Sequence, residues 1–161
     1  MKLSEVPMEY FIMKQDIRYY PVPHIQDFNE KFHKKDFTTG SAYKISDRNV
    51  VFSDSTDHLK FIDYLESPII LISKNMKKVF SMYARNIQYK QFCILNNKVG
   101  DYGIYYAPII DTTDRIGENC IARVKLQLKE VLVVRLDVAE SLLRRNIEGI
   151  LLSSFPVEFG L

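Results

Sequence analysis

The sequence predicts an α+β fold: a single domain over residues 1–161, with about three to four helices packed on a mixed or mainly antiparallel sheet. Three observations lead there. First, "PIILISKNMKKVF" and "EVLVVRLDVAESLLRRNIEGILL" each read as a strand followed by a helix, the continuous apolar run giving way to a period of 3.6. Second, "ARVKLQL" sets Ala122, Val124, Leu126 and then Leu128 against Arg123, Lys125, Gln127 and Lys129, the period of two of a strand with one packed face. Third, no linker, low-complexity stretch or block of like charge divides the chain.

In chain order, residues 9–17, "EYFIMKQDI", favour an extended start. Pro21 and Pro23 end it, because proline fixes its own backbone and removes a donor. Ile25, Phe28 and Phe32 then fall at i, i+3 and i+7, one apolar stripe on a short helix. "TTGS" at 38–41 breaks the pattern, and "NVVFS" at 49–53 is a short strand. "SDSTDH" at 53–58 packs two carboxylates and one of three histidines into six positions, and it reads as a helix start. Asp54 is the expected cap, Asp57 sits in the first turn, and Leu59, Ile62, Tyr64 and Leu65 supply the apolar positions.

A strand at Ile69–Ile72 precedes Ser73, which caps a helix with Met76, Val79, Phe80 and Tyr83 on one face. Asn86 is the expected left-handed residue after it. Ile87 to Leu95 is extended, with Ile87, Tyr89, Cys93 and Leu95 sharing a face. "YGIYYAPII" reads as a core strand and "DTTDRIGEN" at 111–119 as a polar loop. Lys129-Glu130 is the expected turn into a strand at Val131–Leu136. Asp137 caps the last helix, which carries Ala139, Leu142 and Leu143 and ends at Asn146 before an extended segment at Ile147–Leu152.

Composition narrows the function classes. Apolar residues make up 47% and charged ones 26%, a globular balance in which ten Phe and ten Tyr supply core volume. The net charge is only +2, so the chain lacks the basic excess of a nucleic-acid-binding domain. "MKLSEVPMEYF" has no apolar signal core, and no apolar run approaches the roughly 18 residues of a membrane span, so a cytoplasmic protein is expected. Cys93 and Cys120 are the only cysteines, and no histidine pair at ligand spacing accompanies them; Cys93, in "QFCILN", reads as a small buried thiol. No nucleophile elbow, metalloprotease motif or glycine-rich phosphate loop occurs. The expectation is therefore a protein without catalytic residues, metal or cofactor.

Two features point to recognition of a partner. Loops on a rigid scaffold carry binding function, which singles out Asp111, Asp114, Arg115 and Glu118, together with the row Arg123 and Lys125 read as exposed. Tyr10, Tyr19, Tyr20, Tyr43, Tyr102, Tyr105 and Tyr106 are too many to be wholly buried, and tyrosine suits protein interfaces.

The two strand–helix units carry a family likeness. "PIILISKNMKKVF", the aromatic-rich β region after it and the closing "LDVAESLLRRNIEGILL" resemble the immunity proteins of bacterial polymorphic-toxin and contact-dependent competition systems. The likeness spans roughly residues 45–155, with Gly149, the strand Ile150 to Leu152 and then Phe155 matching a closing helix, glycine and apolar strand. It implies a small cytosolic α+β protein that neutralises a cognate secreted toxin protein by tight binding, with no catalytic residue carried over. A second reading is a small enzyme or ligand-binding domain whose site is assembled from distant residues, for instance a histidine with Asp54 or Asp111. A third is a nucleic-acid binder using Arg123, Lys125 and Lys129.

Overall fold

The computed structural model describes residues 9–156, so the reading of the first eight residues lies outside it. The first half of the chain forms β1 (Tyr10–Gln15), α1 (Phe28–Lys31), β2 (Arg48–Ser53), β3 (Tyr64–Leu65), β4 (Leu71–Ile72) and α2 (Lys74–Tyr83). The second half forms β5 (Gln88–Asn96), β6 (Tyr102–Ile109), β7 (Ile121–Leu126), β8 (Lys129–Arg135), α3 (Leu136–Arg144) and β9 (Ile150–Ser154). The α+β class holds, but the strands make two sheets where one was expected, and strand outweighs helix. One sheet has the order β7-β8-β1-β9 and is antiparallel throughout. The other runs β2-β5-β6-β4-β3 and is antiparallel except for β2 beside β5.

Helix α2 forms as its spacing dictates. The Ser73 hydroxyl accepts from the Met76 amide at 3.2 Å, and Met76, Val79 and Phe80 are buried. In α3 the cap position falls on Arg135, and Asp137 lies in the first turn, where it accepts two hydrogen bonds from the Arg135 guanidinium at 2.9 and 2.7 Å. Asn86 does not take the expected left-handed backbone, and α2 ends in Ala84; Asn146, read only as the end of the last helix, is left-handed at φ 53. The β7–β8 turn is Gln127-Leu128 rather than Lys129-Glu130, with Gln127 at φ 56.

Residues 54–63 contain no helix, and this overturns the reading of "SDSTDH" as a helix start. Groups distant in the sequence instead pair with the backbone of this run. Asn96 accepts from the Ser55 amide and donates to the Asp57 carbonyl, both at 3.1 Å. Asp101 accepts from the Leu59 amide at 2.8 Å, and the Pro21 carbonyl accepts from Lys60 at 2.7 Å. The polar run thus serves architecture as a stapled loop. Helix α1 is likewise reduced to one turn, followed by a 3-10 turn at Lys34–Asp36.

Three apolar clusters organise the molecule. In the first, Phe28, Phe32 and Phe37 pack as a ring cluster against Phe92 on the inner face of the five-stranded sheet. The second joins the sheets through α2 and α3: Met76, Phe80, Val138 and Leu142 meet Met13 and Leu132 on one side and Tyr64 and Ile72 on the other. The third covers the far face of the four-stranded sheet, where Ile116 and Phe155 lie with Ile12, Val124, Val131 and Val133.

Candidate functional site

Between the two sheets lies a cleft of about 680 Å³, within the usual range for small-ligand pockets. Strand β7 places Arg123 and Lys125 on its cleft-facing side, because residues two apart share a face. Lys129 and Glu130 enter from the start of β8, Lys34 and Lys35 from the 3-10 turn, and Glu66 from the segment after β3. Phe37, Pro68, Ile69, Ala107, Pro108 and Ile110 supply apolar wall.

Arg123, read from sequence as exposed, is not. Its side chain is only 11% exposed, with one terminal nitrogen 3.8 Å from a Glu130 carboxylate oxygen and the other donating to the Pro108 carbonyl at 3.4 Å. Its Nε is buried and finds no hydrogen-bond partner among the described residues. Burial pulls the guanidinium below its ordinary pKa, against the opposing pull of Glu130, Tyr64 and Asp111. The alternation of β7 gave the right face; what sequence left open was that a second sheet would stand over it. Lys125 is exposed as expected.

The rest of the expected recognition set is not brought together. Asp111 is exposed but committed: it accepts from the Thr39 amide at 2.8 Å and from the Thr39 hydroxyl, and those two bonds hold its carboxyl below the usual carboxylate range. Asp114, Arg115 and Glu118 are exposed on the loop that Ile116 anchors in the third cluster, alongside Ala122 and Val124 on the opposite face of β7. The loop therefore divides, with only its start near the cleft: Thr112 lines it and donates to Glu130 at 2.9 Å.

The three histidines are exposed, and among the described residues none forms an ion pair with Asp54 or Asp111. His58 Nδ1 lies 3.6 Å from Asp101, while Asp54 lies 3.6 Å from Lys98. Among the described residues no group of three or more His, Cys, Asp or Glu is placed to hold a metal ion, and no helix is long and apolar enough to cross a membrane. Cys93 and Cys120 are free thiols, and Cys93 is half-buried rather than buried.

A surface that sequence reading missed lies on the outer face of the five-stranded sheet. The register aligns Val50, Cys93 and Ile104 in one row across β2, β5 and β6, and Phe52, Leu95 and Tyr102 in the next. Val50 is 64%, Tyr102 63% and Ile104 41% exposed. Six adjoining apolar side chains make a patch on the order of a few hundred Å², the size that on monomers is often functional. Lys31, with its Nζ 5.4 Å from the Phe52 ring centre, stands at one margin. The same face is covered farther along by α2, where Lys77 sits 4.2 Å from the Tyr106 ring centre and 5.2 Å from that of Tyr89. The signal was present in part: in "QFCILN" both alternating sets, Phe92 with Ile94 and Cys93 with Leu95, are apolar, which marks a strand able to be packed on both faces. Of the tyrosines singled out, Tyr102 joins this patch; Tyr10 and Tyr105 are buried, with hydroxyls donating to the Asn119 carbonyl at 3.0 Å and the Ile62 carbonyl at 2.7 Å.

No protein-family model matches the chain, and a search of curated proteins gives no match.

Proposed function

We propose that this protein is a non-enzymatic binding module that docks a partner protein on the open face of its five-stranded sheet, and that it acts as an immunity protein neutralising a cognate secreted toxin. The two rows carry the reading: Val50, Ile104 and Tyr102 are exposed, with Cys93, Phe52 and Leu95 half-buried between them. Leaving contiguous apolar surface in water wastes roughly 25 cal/mol per Å² of burial that a partner would recover. An aromatic and aliphatic centre with charged margins at Lys31 and Arg48 is the anatomy of a protein interface. The immunity assignment rests in addition on the sequence likeness over residues 45–155.

Co-expression with the product of the adjacent toxin gene tests the proposal. Expected is a stoichiometric complex that survives size-exclusion chromatography and rescues growth of toxin-expressing cells. Independent elution of the two proteins, with no rescue, contradicts it.

A further inference from the structure

The cleft between the sheets is lined by five cationic side chains, Lys34, Lys35, Arg123, Lys125 and Lys129, against two carboxylates, Glu66 and Glu130. This concentration contrasts with a chain whose 22 basic and 20 acidic residues nearly cancel. The two carboxylates are already engaged. Glu66 pairs with Lys129 at 3.1 Å, and Glu130 accepts from Thr112 while lying 3.8 Å from Arg123. Among the described residues, Lys34, Lys35 and Lys125 have no salt-bridge partner. Arg123 beneath them has only long contacts and a buried Nε with no acceptor. A guanidinium taken out of water without full compensation is costly, and an anion in the cleft offsets that cost.

We propose that this cleft binds a small phosphate monoester carried on an apolar body. Three ammonium groups without counter-ions exceed what a single carboxylate neutralises, whereas a phosphate dianion presents more charge and more acceptor oxygens. The apolar body is called for by the rest of the lining, to which Phe37, Pro68, Ile69, Ile70, Ala107 and Pro108 contribute. The site is independent of the docking face on the five-stranded sheet, so it stands or falls separately from the proposed partner.

Calorimetric titration of the purified chain with phenyl phosphate, benzoate, inorganic phosphate and benzyl alcohol tests the site. Saturable one-to-one binding of phenyl phosphate is expected, at least about tenfold tighter than each of the other three, a gap equivalent to about 1.4 kcal/mol. The double variant K34E/K125E, which changes two exposed side chains, is expected to weaken phenyl phosphate at least tenfold, while K78E on the exposed face of α2 leaves it unchanged. The R123Q variant is expected to weaken it as well, with folding checked by thermal melting. Absence of saturable binding to the wild type, equal affinity in K34E/K125E, or equal affinity for benzyl alcohol overturns the proposal. Benzoate or inorganic phosphate binding as tightly as phenyl phosphate overturns the ligand class.

Discussion

The two sheets of this molecule are finished differently. Both faces of the four-stranded sheet are covered, one by α2 and α3 and the other by Ile116 and Phe155. The five-stranded sheet has its inner face under the Phe28, Phe32 and Phe37 cluster, but its outer face is covered only in part. The difference follows from length. Helix α2 has ten residues, about 15 Å of rise, and its cover reaches the Tyr89 and Tyr106 end of β5 and β6. Beyond it, side chains of core type face water. This partly open side, among the described residues, is the feature on which the proposed docking rests.

The strongest way to break this comparison is to truncate matched positions on the two faces of one sheet. Phe92 is fully buried on the covered face, and Phe92→Ala is expected to cost about 3–5 kcal/mol through lost burial and the cavity left behind. Val50, in the adjoining strand on the open face, is 64% exposed, and Val50→Ala is expected to shift stability by no more than about 0.5 kcal/mol. Urea denaturation of both variants checks this; equal losses would show that the open face is packed in solution.

Next in size is Gly149, which joins α3 to β9 at φ 89, where a side chain is strained, and whose added Cβ would fall 2.7 Å from Ile62. Gly149→Ala is expected to cost about 1–3 kcal/mol, read from the same denaturation curves. Ser73→Ala removes the cap of the helix that covers part of the outer face, and about 1 kcal/mol is expected. An unchanged midpoint in either variant would contradict the contacts described.

The pH dependence is smaller per group. Asp16 is held below its ordinary pKa by hydrogen bonds from Arg18, Asp111 by those from Thr39, and Asp137 by those from Arg135. A carboxylate with a lowered folded pKa stabilises above the unfolded value of about 3.9, and that contribution is lost as pH falls through the folded value. Stability is thus expected to be flat near neutrality and to fall below about pH 4. In Asp111→Asn the acid limb should be shallower, measured as melting temperature against pH. At the alkaline end, burial pushes Tyr89 up to about 12, so a tyrosine silent to spectroscopic titration until well above pH 10 is expected.

Where local chemistry decided the structure, the sequence was readable. Ser73 with Met76, Val79 and Phe80 specified α2, and the alternation through Val124 and Leu126 specified β7. It misled where distant groups intervened. Nothing within "SDSTDH" announces that Asn96 and Asp101, some forty residues on, accept from the Ser55 and Leu59 amides. Arg123 was placed on the correct face of its strand, yet its burial depends on a second sheet that no local pattern describes. The open face has the same origin: the two-sided apolar character of β5 is written in the sequence, but where α2 stops covering it is a property of packing.

The most direct test of the proposed docking on the open face is the affinity of V50E/I104E for the toxin with which the protein is proposed to pair, measured by surface plasmon resonance beside the wild type. Two carboxylates in one of the two rows of the patch are expected to weaken binding at least a hundredfold, about 2.7 kcal/mol, with the melting temperature essentially unchanged. An affinity equal to that of the wild type would place the interface elsewhere on the molecule.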